Sequence, residues 1–158
     1  MRKLEVWMLV GLLLGTGACG SRETPPPVGA AASAATAEEC DRLFGERVNA
    51  GDVEGVVSLY EPDATLVRQD GTSATGTDAI RAEITALAAL HPHITMHVTK
   101  AVRSGADVAV LYNDWIATGI DANAQPTTLS GRASEVVRKQ KDGSWRFVID
   151  DPDARGAH

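Results

Sequence analysis

The stretch from Asn49 to Ile84, NAGDVEGVVSLYEPDATLVRQDGTSATGTDAIRAEI, constrains the fold more than any other part of this chain. It reads as a helix end, a tight turn, a short helix, a brief strand, a second turn and a new helix, with local chemistry for each step. Gly51 is free to take the left-handed conformation that closes a helix. Asp52 follows at once, placed to cap the next helix through its carboxylate. Val53, Val56, Val57 and Tyr60 then recur at helical spacing on one face. Glu61 and Pro62 predict the end of that helix, because a residue before proline is steered out of the α region. Ala64 to Val67 is long enough for a short strand, and Gly71 and Gly76 bracket a turn. Thr77 and Asp78 open a helix carrying Ile80, Ile84, Leu87 and Ala88 on one stripe.

The second half reads as strands. Ile94 to Arg103, Asp107 to Thr118, Thr127 to Gln140 and Trp145 to Asp150 are separated by SGAD, IDANAQP and KDGS, the last a hairpin-type turn containing Asp-Gly. Helices followed by strands in antiparallel succession is an α+β order, not an alternating βαβ one. There is no dinucleotide fingerprint and no phosphate-binding GK[ST] loop in the sequence.

NAGD (Asn49 to Asp52), LYEPDATL (Leu59 to Leu66), GTDAIR (Gly76 to Arg81) and the closing GSWRFVIDD (Gly143 to Asp151) together resemble the nuclear-transport-factor-two-like superfamily, in particular its SnoaL-like and ketosteroid-isomerase-like branches. The resemblance spans roughly Ala37 to Pro152. It implies a cystatin-like α+β domain, residues 37–152, in which a curved antiparallel sheet wraps on about three N-terminal helices to form a cone with an internal cavity. Residues 153–158 remain as a tail. Domains of this kind host enzymes, binding modules and assembly domains alike, so the fold leaves the activity open.

The N-terminus predicts export. Arg2 and Lys3 form a positive region, and Val6 to Leu14 is an apolar core too short to span a bilayer. Gly15-Thr16-Gly17-Ala18-Cys19 resembles a bacterial lipobox, with Thr16 where Leu is commoner. Residues 1–18 are thus expected to be a lipoprotein signal peptide and Cys19 a lipidated anchor in the cell envelope. An ordinary cleaved secretory signal is the alternative. Residues 19–36, rich in Pro, Ala and Ser, read as a disordered tether reaching up to about 55 Å at about 3.3 Å per residue. Of the 15 basic and 21 acidic side chains, the leader removes Arg2, Lys3 and Glu5, leaving 13 against 20. No Lys/Arg cluster survives, which argues against nucleic acid as a partner. With Cys19 committed to lipid, Cys40 is the remaining cysteine, so a disulfide framework is excluded. Cys40 shares a helical stripe with Leu43, Phe44 and Val48 and reads as a small core hydrophobe.

The strand from Thr127 carries the first sign of a site. One phase holds Leu129, Gly131, Ala133, Glu135 and Val137; because side chains alternate faces, Glu135 stands alone on an apolar inner face. A carboxylate there must be neutralised, paired or near cavity water. It is either a functional acid or a glutamate paired structurally with an arginine. Steroid isomerases of the resembled superfamily use a tyrosine on the first helix, an aspartate after the PDAT strand and a carboxylic acid on a late strand. Carried onto this chain, those positions hold Phe44, Arg68 and Glu135. Phe44 has no hydroxyl and a guanidinium is no base near neutral pH, so the resemblance does not carry the isomerase mechanism over. Polyketide cyclases of the SnoaL type also rely on a cavity acid, which keeps Glu135 open as a catalytic residue.

Arg68 has three readings: a partner for Glu135, a grip for an anionic group on a ligand, or a solvated residue of the RQDG turn. Asn113 and Trp115 share a phase with Ala109 and Leu111, and the resemblance makes this the cavity phase, so Arg68, Asn113, Trp115 and Glu135 are the expected ligand-binding set. No cofactor is expected. His91, His93 and His97 do not form a metal site, since His93 and His97 stand about 13 Å apart on an extended chain. Asp63 reads as a turn residue, and Asp150, Asp151 and Asp153 as solvated ends of the last strand. Trp145, Phe147 and Ile149 alternate with Arg146, Val148 and Asp150 in a half-buried strand whose aromatics are assigned to the core. Val108, Val110 and Ile116, on the opposite phase from the cavity, suggest an outer sheet face that packs on a second copy as a homodimer. Two functions follow: a membrane-tethered module that binds a small amphipathic ligand or serves as a dimeric interaction module, or a small-cavity cyclase, isomerase or hydrolase using Glu135 as its acid/base.

Overall fold

Gly51 closes the first helix with φ of 69°, and Asp52 caps the second, its Oδ1 accepting the Gly55 N–H at 2.9 Å. These contacts fix the corner between α1 (Glu39–Asn49) and α2 (Val53–Val57). In the computed structural model, residues 32–120 and 125–154 are described. The expected signal peptide, Cys19, most of the tether and most of the tail lie outside the described residues. After α2 come β1 (Tyr60–Val67), β2 (Ser73–Thr75), α3 (Thr77–Ala88), β3 (His93–Ser104), β4 (Val108–Ile120), β5 (Pro126–Lys139) and β6 (Trp145–Asp151).

The six strands form one sheet in the order β2-β1-β6-β5-β4-β3. β3 to β6 pair antiparallel in succession, while β1 joins β6 in parallel. β1 starts at Tyr60, earlier than Pro62 suggests. Its pairing with β6 is interrupted between Tyr60 and Thr65, so the missing proline N–H falls where no regular ladder bond is needed. Tyr60 therefore belongs to a strand and not to the α2 stripe.

The domain also begins earlier than composition indicates. Ala34, in the segment read as tether, is fully buried and bridges Trp145, whose N–H donates to the Ala34 carbonyl at 2.8 Å. The buried guanidinium of Arg47 reinforces this start, donating to the carbonyls of Ala32 and Gly55.

The core lies between the helices and one face of the sheet. It is built from Leu43 and Val48 of α1, Val56 of α2, Ile80 and Ile84 of α3, Leu111 and Val137 of β4 and β5, and Phe147 of β6. Cys40 is buried there, and burial pushes its thiol up to about 12, which suits a packing residue and not a nucleophile.

One irregularity decides the site. β5 and β6 pair Val137 with Phe147 but Val136 with Ile149, so Val148 is an extra residue in a bulge. The inward phase runs Trp145, Phe147 and then Asp150. Ile149, which strict alternation would keep in phase with Trp145 and Phe147, is 42% exposed, and Asp150, expected to be solvated, is buried.

Candidate functional site

The inner face of the sheet, α3 and the Phe44 side of α1 bound a cavity of about 440 Å³, within the range of about 300–1,000 Å³ typical of small-molecule sites. Its walls are apolar: Phe44, Leu66, Ile84, Leu87, Met96 and Phe147 contribute side chains. Phe44, at the position that would carry a tyrosine in a steroid isomerase, packs edge-on against Phe147 with ring centroids 6.3 Å apart. Trp115 forms a further wall. Its indole Nε1 donates to the Pro152 carbonyl at 2.6 Å, and its ring lies over Gly131, its cross-strand partner. A Cβ on Gly131 would come within 2.5 Å of Trp115 Cζ2, so a glycine is what admits the indole there.

Polar groups gather at the floor. Asn113 on β4 uses both protons of its amide, donating to Asp41 Oδ2 of α1 at 2.9 Å and to Glu135 Oε1 of β5 at 2.6 Å. Beside them the Tyr60 hydroxyl donates to Asp150 Oδ2. Asp41, Asn113, Glu135 and Asp150 are all buried, with Glu135 only 1% exposed. Among the described residues, Asp41 Oδ1, Asn113 Oδ1 and Glu135 Oε2 make no hydrogen bond. None of the three carboxylates takes part in an ion pair among the described residues.

Carboxylates without a cation resist ionisation. Burial, then the neighbouring charges of Asp41 and Asp150, push Glu135 up to about 10. Burial raises Asp41 to about 7 against the opposing Asn113 hydrogen bond. Burial likewise raises Asp150 to about 6, opposed by the Tyr60 hydroxyl. The Tyr60 phenol itself is held well above its ordinary value by burial and by Asp150. At neutral pH Glu135 is thus a protonated acid. Its Oε1 accepts from Asn113, which leaves the O–H on Oε2, the atom with no partner.

The expected site residues divide. Trp115 and Glu135 line the cavity, and so does Arg68 at its mouth; Asn113 does not line it but braces Glu135 from behind. The suggested Arg68–Glu135 pair does not form. Arg68 Nε binds Glu83 of α3 at 2.7 Å, and its Nη1 donates to the Ser73 carbonyl at 2.9 Å. The β1–β2 hairpin directs Arg68 across to α3, while Glu135 is held at the floor by β4. Two acids escaped the sequence reading. Asp41 stands three, four and seven residues before Phe44, Gly45 and Val48, all on one helical face, and that spacing was its available signal. Asp150 carried none, because only the bulge turns it inward. His93 and His97 are exposed, and among the described residues no three His, Cys, Asp or Glu side chains converge as metal ligands.

The SnoaL-like domain family matches residues 41–148. No protein of curated function matches the sequence significantly. Among solved structures, a ketosteroid isomerase-like protein from Erwinia carotovora aligns with TM-score 0.65 and 19% identity, over 72% of this chain and 89% of its own. An NTF2-like protein with a cystatin-like fold from Novosphingobium aromaticivorans aligns with TM-score 0.63 and 19% identity, over 75% and 80%. An NTF2-like superfamily protein from Salmonella enterica serovar Typhimurium aligns with TM-score 0.62 and 20% identity, over 75% and 89%. At such identities the likeness concerns the fold. The family match, over more than half of the chain, establishes that it belongs to the SnoaL-like domain family, and the structural likenesses show that it has an NTF2-like fold.

Proposed function

We propose that this domain is a binding module that holds a small, mostly apolar molecule by one polar end. The observation that carries this reading is the cavity itself: apolar walls from α1, α3 and five strands close on a single buried polar cluster. Phe44 and Arg68 at the tyrosine and aspartate positions of the steroid isomerases argue against that chemistry here. Binding of a neutral solvatochromic dye such as Nile red tests the module. Ala133→Leu, which fills the cavity from β5, should weaken dye binding by about tenfold or more while the melting transition is retained. Unchanged binding in that variant would remove the cavity from the account.

The module is further proposed to work exported and lipid-anchored through Cys19, and to pair with a second copy. Cys19→Ser should release the protein from membranes or leave its precursor unprocessed; an acylated, membrane-bound variant would end the anchor reading. The outer sheet face supports pairing. Val102, Val110, Val136 and Ile149 stand side by side across β3, β4, β5 and β6, with Val102 and Ile149 exposed. Light scattering that returns a monomer at tens of micromolar would sink the homodimer.

One observation favours an enzymatic alternative. Two neighbouring acids are driven apart in strength, Glu135 to about 10 and Asp150 to about 6, a division that suits an acid and a base in proton transfer. Turnover of a bound ligand that falls about 10²-fold in Glu135→Gln would decide for a cyclase, isomerase or hydrolase.

A further inference from the structure

We propose that the cavity selects a cationic amine: a compact apolar body bearing a protonated nitrogen that docks on the unpartnered Oε2 of Glu135. The inference rests on the cavity-binding reading and adds the charge of the ligand to it.

The groups that face Glu135 are acidic or neutral from every side. Asp41 and Cys40 come from α1, Asn113 from β4, Asp150 from β6 and Tyr60 from β1. The basic side chain that lines the cavity, Arg68, is turned to Glu83 and to the Ser73 carbonyl. Three buried carboxyl groups therefore share a low-dielectric floor with no cation in contact among the described residues. An anionic ligand would meet only acids there. A neutral one could engage the floor by hydrogen bonding alone. An ammonium supplies the missing counter-charge, and a charge-assisted bond in a dry site is about twice as strong as a neutral one. The walls agree, since Trp115 and Phe147 line the same space and aromatic faces attract cations. A metal ion does not fit the same floor, because no set of three ligand side chains converges among the described residues.

The proton balance is explicit. In the free protein Oε2 carries a proton. The amine arrives as an ammonium, Glu135 releases its proton to solvent, and the complex holds an ammonium–carboxylate pair. One proton leaves for each amine bound.

Three probes sharing one ring test this on the full-length chain by calorimetry at pH 7.5: cyclohexylmethylamine, cyclohexylmethanol and cyclohexanecarboxylate. The amine should bind at least tenfold more tightly than the alcohol, and the carboxylate more weakly than either. Repeating the amine titration in buffers of different ionisation enthalpy should reveal release of close to one proton. Glu135→Gln should remove that release and weaken the amine by tenfold or more, with less than a threefold change for the alcohol. If the alcohol binds as well as the amine, or amine binding releases no proton from the native protein, the amine assignment is overturned and the cavity reading stands. If none of the three binds at millimolar concentration, both fall.

Discussion

The floor and the rim of the cavity treat charge in opposite ways. At the rim, Arg68 and Glu83 are each about a third exposed and meet at 2.7 Å, and water carries much of the solvation. Farther out, Arg103 holds Glu38 and Arg81 holds Glu54, and these hydrogen bonds lower both carboxyls. At the floor, Asp41, Glu135 and Asp150 have only an amide and a phenol between them, and all three are raised. Rim charges are matched and add little to stability. Floor charges are unmatched, and a fold that keeps unmatched acids in its interior holds them against its own stability, a signature of a site more than of a scaffold.

The comparison breaks most sharply at Asn113. Asn113→Asp keeps the shape but removes both donors that hold Asp41 Oδ2 and Glu135 Oε1, and it adds a fourth acid. Leaving a buried acceptor without its donor costs about 1–3 kcal/mol. With two acceptors stripped, a loss of about twice that is expected in urea unfolding at pH 8. At pH 5, where the acids are protonated and able to donate to one another, the deficit should shrink. A loss below about 1 kcal/mol at pH 8 would mean that the floor is hydrated and its carboxyls are not unmatched.

Half of that floor was legible beforehand. Glu135 and Asn113 declare themselves by strand alternation, since a period of two assigns a face wherever the ladder is regular. Asp150 is hidden because the extra residue at Val148 reverses the phase, and a bulge is set by cross-strand pairing that no local pattern encodes. Asp41 was overlooked beside the apolar stripe of Cys40, Leu43 and Phe44, one helical step away. Arg68 had three open readings, and its actual partner Glu83 depends on how α3 packs over β1, a contact between residues 15 apart in sequence. The fold itself was readable because each turn between Asn49 and Ile84 states its own chemistry, as Gly51 and Asp52 do.

The pH dependence of stability sharpens the contrast next. An acid raised in the native state holds a proton that the unfolded chain has already lost, so stability falls as pH rises above the unfolded value. Each such group contributes a slope of about 1.4 kcal/mol per pH unit between its unfolded and folded values. From the three floor acids, stability should be highest near pH 4 to 5 and decline through the values of about 6 for Asp150, about 7 for Asp41 and about 10 for Glu135. The lowered surface acids act in the opposite sense, below about pH 4. Thermal melting from pH 5 to 9 should therefore show a steady fall, and Glu135→Gln, which needs no proton, should flatten the part above pH 7. A native melting temperature that rises from pH 5 to 8 would contradict buried, unmatched acids.

The smallest effects belong to the rim and separate it from the floor. Arg68 and Glu83 form an exposed pair, for which double-mutant cycles give about 0.2–1 kcal/mol; Arg68→Gln with Glu83→Gln should couple within that range. The same cycle on Arg68 and Glu135 should give no coupling beyond about 0.3–0.5 kcal/mol, the additivity limit for residues that share no partner. Exchanging the charges, Arg68→Glu with Glu135→Arg, should rescue nothing and destabilise strongly. The arginine would then set its donors against the Asn113 amide, which now donates to Glu135, while the glutamate at the mouth would face Glu83. Coupling of Arg68 to Glu135 equal to or larger than its coupling to Glu83 would join the two regions into one network, and the distinction between a matched rim and an unmatched floor would not hold.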